Sequence, residues 1–147
     1  MKSNLTCGII IYLERLDKFI LGKSTGNNHY DIPKGMYEEQ DKKPIITAIR
    51  ECEEEFGLTF SEDQLIDLGR FSYNQAKDIH LFLAKTEFNE SILKKLSCLS
   101  FFEHYRTKER LPEISHYRLF SKEEMIDKTP KSLKRTLLNN NLFDFCS

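Results

Sequence analysis

The stretch from Pro44 to Phe56 constrains this chain more than any other. Ile45, Ala48, Ile49, Cys52 and Phe56 recur at helical spacing and form one apolar face. Pro44 suits a first helical turn, where its missing N–H is not needed. Gly57 follows as a natural stop. A helix with one apolar side must lie on a core, so its neighbours have to supply a surface for it. On a different side stand Glu51, Glu54 and Glu55, at i, i+3 and i+4. At 3.6 residues per turn these carboxylates share a face. On an exposed helix each like-charged pair costs about a few tenths of a kcal/mol. A divalent cation reverses the sign of that term, and clustered hard oxygens favour Mg²⁺ or Mn²⁺ over zinc. Without further context, a solvated acidic face explains the same residues.

The flanking segments supply the surface. Thr6–Leu13 is rich in Ile and reads as a buried strand, with Leu16-Asp17-Lys18 as a turn and Phe19–Lys23 as the returning strand. Ser24–His29 is a loop containing Gly26, Asn27 and Asn28. Tyr30–Pro33 is short and extended, because Pro33 disfavours a helical Ile32. Beyond the helix, Leu65–Tyr73 and Ile79–Lys85 read as strands around the polar turn Asn74–Asp78, and Glu90–Ser97 as a short helix. Ser100–Pro112 is polar and irregular, with His104, Arg106, Lys108 and Arg110 in it and Lys95 just upstream. Ile114–Phe120 is a further strand. Ser121 caps a short helix with Glu124 three residues on, a capping box. Pro130–Asn139 is the last helix, with Leu133, Leu137 and Leu138 on its buried side. This order predicts one α/β domain over residues 1–147, a mixed sheet with helices on both faces.

Composition removes several alternatives. The formal net charge is −1, which gives no basis for bulk binding to nucleic acid or a membrane surface. An anionic ligand must therefore be held by a few local cations and a metal. Cys7, Cys52, Cys98 and Cys146 are scattered without CxxC spacing, so a zinc site is not expected. No secretory pattern opens the sequence and no apolar run approaches a membrane span. Four reduced thiols in a cytoplasmic compartment are the expectation.

The helix and the loop before it together resemble the signature of the Nudix hydrolases. That signature is Gly, five residues, Glu, seven residues, then Arg-Glu-apolar-any-Glu-Glu-any-Gly-apolar. Arg50-Glu51-Cys52-Glu53-Glu54-Glu55-Phe56-Gly57-Leu58 matches its second half at every specified position, with Gly35 ahead in the loop. The first half departs. Asp41 stands where Glu is usual, Gln40 precedes it where Gly is usual, and eight residues separate Asp41 from Arg50. The loop acid is thus one of Glu38, Glu39 or Asp41.

The resemblance implies an α/β/α sandwich and Mg²⁺- or Mn²⁺-dependent cleavage of a phosphoanhydride in a nucleoside diphosphate derivative. It implies metal binding by Gly35, Glu51, Glu54, Glu55 and a downstream Glu113, with Glu51 and Glu54 catalytic and Arg50 orienting a carboxylate. Glu51 is then a ligand or the general base. Glu113-Ile114-Ser115-His116-Tyr117-Arg118 and Ser72-Tyr73-Asn74 with Lys77 are similar to stretches of the diadenosine tetraphosphate hydrolase branch. That likeness makes Tyr30, Lys34, Tyr73, Lys77 and Tyr117 substrate-binding candidates and a dinucleoside polyphosphate the preferred substrate. ADP-ribose and an RNA 5′ end, its tail on Arg106–Arg110, are rivals. A nucleotide-sensing Nudix module is the non-enzymatic alternative. A monomer or homodimer is expected.

Overall fold

A computed structural model describes residues 4–146. The strands are β1 (Leu5–Leu13), β2 (Lys18–Ser24), β3 (Tyr30–Asp31), β4 (Lys34–Met36), β5 (Ile66–Ser72), β6 (Asp78–Thr86), β7 (Phe101–Glu103), β8 (Arg110–Pro112) and β9 (Ile114–Phe120). The helices are α1 (Pro44–Phe56), α2 (Lys122–Lys128) and α3 (Lys131–Asn139). Seven strands form one sheet along the path β3-β2-β1-β6-β5, with β4 beside β1 and β9 beside β2. β1 and β6 run parallel along their whole length, while the other pairs are antiparallel. The expected mixed sheet is therefore present.

The nine residues of β1 are all buried, because both faces of this central strand are covered. Alternation divides them. Leu5, Cys7, Ile9, Ile11 and Leu13 face α1 and pack with Ala48, Cys52 and Phe56. Ile10 and Tyr12 face the other way, toward Met125 of α2 and Leu133 and Leu137 of α3. One sheet between two helical layers is the α/β/α sandwich.

The sheet splits on one side of β1, and the split positions the site. At its start β1 pairs with β4, through Cys7 opposite Gly35. At its end it pairs with β2, through Tyr12 opposite Phe19. β2 in turn leaves β1 for β3 and gains β9. Phe56, the last residue of α1, packs against the opened backbone at Gly22. A Cβ there would stand 2.7 Å from Ile114 Cγ2 and 3.1 Å from the Phe56 ring.

Three segments differ from the sequence-based expectation. Lys34–Met36 is a strand in a region read as loop, too short and Gly-interrupted to show alternation. Glu90–Lys95 is a 3₁₀ turn rather than a helix. Asn89 caps it by accepting from the Ser91 N–H at 2.9 Å. The irregular stretch Ser100–Pro112 contains the β7–β8 hairpin, a separate two-stranded sheet. Its turn carries no Asn-Gly or Asp-Gly pair; Lys108 itself supplies the left-handed residue, with φ 64°. The capping box at Ser121 and Glu124 is present, and α3 starts one residue after Pro130.

Candidate active site

The site is built where α1 crosses β4. α1 has to approach the sheet backbone, and Gly35 lets it. A Cβ at Gly35 would fall on the Glu51 carboxyl group itself, so only glycine fits beneath that side chain. One residue earlier, the Lys34 backbone N–H donates to Glu55 Oε1 at 3.1 Å. β4 is thus fastened to two of the three helix carboxylates, by a missing side chain and by a main-chain donor.

Arg50 organises the same helix turn. Its Nη1 donates to Glu51 Oε2 at 2.7 Å and lies 3.5 Å from Glu54 Oε1. Its other edge is held by Asp41, which accepts from Nη2 at 2.9 Å and Nε at 3.2 Å. The Thr47 hydroxyl donates to the same Asp41 carboxylate at 2.7 Å. Asp41 is buried, whereas Glu38 and Glu39 are exposed. Of the three loop acids, Asp41 is therefore the one that reaches the helix. Hydrogen bonding from Arg50 holds its carboxyl below the ordinary range against the cost of burial. Arg50 accordingly links the loop acid to Glu51.

The remaining charge is not balanced. Burial, then the Glu54 charge, pushes the Glu51 carboxyl up to about 7 despite Arg50, with Glu113 adding to the effect. Burial pushes Glu55 up to about 8 despite the Lys34 N–H, with Glu51 and Glu113 again adding. Glu113 stands at the entry to β9, its N–H on the Ser100 carbonyl at 2.9 Å and its carbonyl accepting from Thr25 N–H at 2.9 Å. Glu54 is the most exposed of the helix trio, at 42 % of its side chain. Among the described residues, no three His, Cys, Asp or Glu side chains already converge as a cage for a metal ion.

The substrate candidates do not gather in one place. Strand alternation sends the Lys34 side chain to the face opposite Glu51, where its Nζ pairs with Asp31 at 2.6 Å. Burial disfavours that ammonium, but Asp31 outweighs it and raises its pKa above the ordinary value. Lys34 is therefore committed to a carboxylate and not free beside a phosphate. Tyr73 is 7 % exposed and packs in the α2–α3 core, which leaves little ring face for stacking. Lys77 Nζ sits 5.8 Å from its ring centre. Tyr30 lies on the same layer, 4.8 Å from the Phe120 ring and beneath Arg118. Tyr117 alone reaches the α1 face. Its ring meets Phe56 edge-on at 5.0 Å and its hydroxyl donates to the Glu55 carbonyl. Asp31 and Thr47 went unnoticed in the sequence. The i,i+3 spacing of Asp31 to Lys34 was the one available signal.

Comparison with known proteins agrees with this architecture. The NUDIX domain family model matches residues 3–139. An uncharacterized 17.7 kDa protein in the e-segB intergenic region of Enterobacteria phage T4 is 33 % identical, with 96 % of each chain covered. A binary complex of the C. elegans Ap4A hydrolase has a TM-score of 0.65 at 20 % identity, covering 94 % of this chain and 96 % of that one. The NUDIX domain of Shewanella oneidensis NrtR, complexed with ADP ribose, has a TM-score of 0.64 at 12 % identity, covering 97 % and 88 %. With a matching family model over nearly its whole length and an α1–β4 site of that pattern, the chain belongs to the NUDIX domain family, the pyrophosphohydrolases of nucleoside diphosphate derivatives.

Proposed function

We propose that this protein is a Mg²⁺- or Mn²⁺-dependent hydrolase of dinucleoside polyphosphates such as diadenosine tetraphosphate. The observation that carries the reading is the cluster of uncompensated carboxyls at the α1–β4 crossing, with Glu51 raised by burial and the Glu54 charge, and Glu55 by burial and the Glu51 charge. Hard oxygen donors carrying surplus negative charge suit a hard divalent cation. Glu51, Glu54, Glu55 and Glu113, with the Gly35 carbonyl, are the groups that would hold it. A bound divalent ion offsets phosphate charge and makes coordinated water more acidic.

The chain's own groups divide the remaining work. Asp41 fixes Arg50, and Arg50 fixes Glu51. Where Glu51 does not ligate the metal, its carboxylate, positioned by Arg50, is suited to accept a proton from the attacking water. Glu54 is the accessible carboxylate of the trio. Water adds to phosphorus and the anhydride oxygen leaves with its nucleotide, giving two phosphorylated products. The choice of a dinucleoside polyphosphate is supported by the likeness to the C. elegans Ap4A hydrolase along almost the full length of both chains. ADP-ribose is the rival substrate, supported by the ADP ribose complex of the NrtR domain.

A hydrolysis panel tests this. It contains diadenosine tetraphosphate, ADP-ribose, NADH, a nucleoside triphosphate and a 5′-triphosphate RNA, each with Mg²⁺ and with Mn²⁺, beside a Glu54→Gln control. Fast cleavage of diadenosine tetraphosphate that the control abolishes is the expected result. Preference for another compound displaces the substrate. Silence from folded protein moves the reading to a nucleotide-binding module.

A further inference from the structure

Large apolar side chains left in water gather on the stretch of chain that runs past the end of α1. Among the described residues, the large hydrophobics that are exposed number six, and three of them lie on the stretch that leads from Glu54 into the β7–β8 hairpin: Leu99, Phe101 and Tyr105. Leu99 donates its N–H to the Glu54 carbonyl at 2.6 Å, so the chain leaves the end of α1 at the site itself. It returns from the β7–β8 hairpin at Glu113, whose N–H closes the hairpin base on Ser100. The hairpin thus rises from between two carboxylate-bearing elements.

Its surface pairs aromatic rings with cations. Arg110 lies 4.4 Å from the Phe101 ring centre and Arg106 5.3 Å from that of Tyr105. His104 stacks on Tyr105 at 5.2 Å. Tyr105 keeps 72 % of its surface in water. Among the described residues, Arg106, Lys108 and Arg110 form no salt bridge. Exposed rings paired with cations that have no carboxylate partner are the chemistry that stacks bases while attracting phosphates. Since the net charge is −1, these cations are a local device and not part of a general basic surface.

We infer that the β7–β8 hairpin is a substrate arm that receives the nucleotide lying beyond the cleaved anhydride, stacking its base on Tyr105 and Phe101 and holding its phosphate with Arg106 and Arg110. This rests on the hydrolase reading above. The nucleotide comes either from the far half of a free dinucleotide or from the first residues of an RNA 5′ end.

The test compares wild type with Tyr105→Ala/Arg106→Ala/Arg110→Ala, and with the milder Arg106→Gln/Arg110→Gln. Substrates are ATP, diadenosine tetraphosphate and 5′-triphosphorylated hexa-adenylate. The arm predicts that kcat/KM for substrates with a second nucleotide falls about tenfold relative to ATP, carried by KM. A fall confined to diadenosine tetraphosphate assigns the free dinucleotide. A larger fall on hexa-adenylate that shrinks as salt rises assigns RNA. Equal changes on all three, or none, overturn the arm. If wild type cleaves nothing, the hydrolase reading fails by itself, and fluorescence anisotropy of 3′-labelled triphosphorylated hexa-adenylate decides the arm separately. Binding lost in the triple variant then upholds it, and no binding by wild type overturns it.

Discussion

The two faces of the sheet use the same strands and reach opposite ends. Facing α2 and α3, polar groups are matched: Lys34 has Asp31, and the Thr136 hydroxyl bonds to the Ser132 and Ser72 carbonyls. Rings fill the rest, with Phe19 5.6 Å from Phe143 and 5.0 Å from Tyr12. Facing α1, the core is equally dry, but its rim holds carboxyls that lack enough positive charge. Arg50 is shared by Asp41, Glu51 and Glu54, which leaves one guanidinium for three acids. One face is built to be stable, and the other retains a charge imbalance that a ligand can relieve. That contrast is a reason to look for chemistry on the α1 side and to regard the tyrosines of the other side chiefly as packing.

The contrast can be broken from either side. The largest stability effect is expected on the quiet face. Phe19→Ala removes a fully buried ring and should lower unfolding stability by about 3–5 kcal/mol, read by urea denaturation. A loss below about 1 kcal/mol would mean that the second core is not the stabilising one. Asp41→Asn comes next. It leaves Arg50 without its charged partner, and a loss of about 1–3 kcal/mol is expected. kcat should drop as well, because Glu51 loses its oriented donor; an unchanged kcat would detach Asp41 from the site. Tyr117→Phe should cost about 1 kcal/mol through the hydroxyl on the Glu55 carbonyl. Tyr73→Phe, whose hydroxyl has no such bond to the helix, is expected to change stability least. Thermal melts of the two variants side by side would check that order, and a larger loss for Tyr73→Phe would reverse it.

The same contrast explains what could be read from sequence. α1 was legible because Pro44, Gly57 and its apolar face all agree on one helix. β1 was legible because a strand covered on both faces is a largely apolar run, here centred on Ile9, Ile10 and Ile11. β4 was not, since Lys34-Gly35-Met36 is too short to show a period and is set by pairing with β1. The β7–β8 hairpin was missed because Lys108 takes a left-handed conformation that its side chain does not advertise. The helix carboxylates were visible as spacing alone. Choosing Asp41 over Glu38 and Glu39 required knowing which acid turns inward to Thr47 and Arg50, a fact of loop geometry. Lys34 was placed beside phosphate by its neighbour Gly35, yet strand alternation turns it to the other face.

The α1–β4 rim holds more carboxyls than cations, an imbalance that binding of a divalent cation would relieve. Melting temperature against pH, with EDTA and with Mg²⁺, measures it most directly. In the native protein Glu51 and Glu55 titrate near 7 and 8, above the ordinary 4.5 expected once unfolded. Between those values the native state binds more protons, so metal-free stability must fall as pH rises from about 4.5 to 8. A fall of several kcal/mol is expected, about 2–4 °C for each kcal/mol. Glu55→Gln should flatten it, and Mg²⁺ should raise the melting temperature most at the alkaline end. A metal-free melting temperature that is level or rising across that range, with no response to Mg²⁺, would contradict the account.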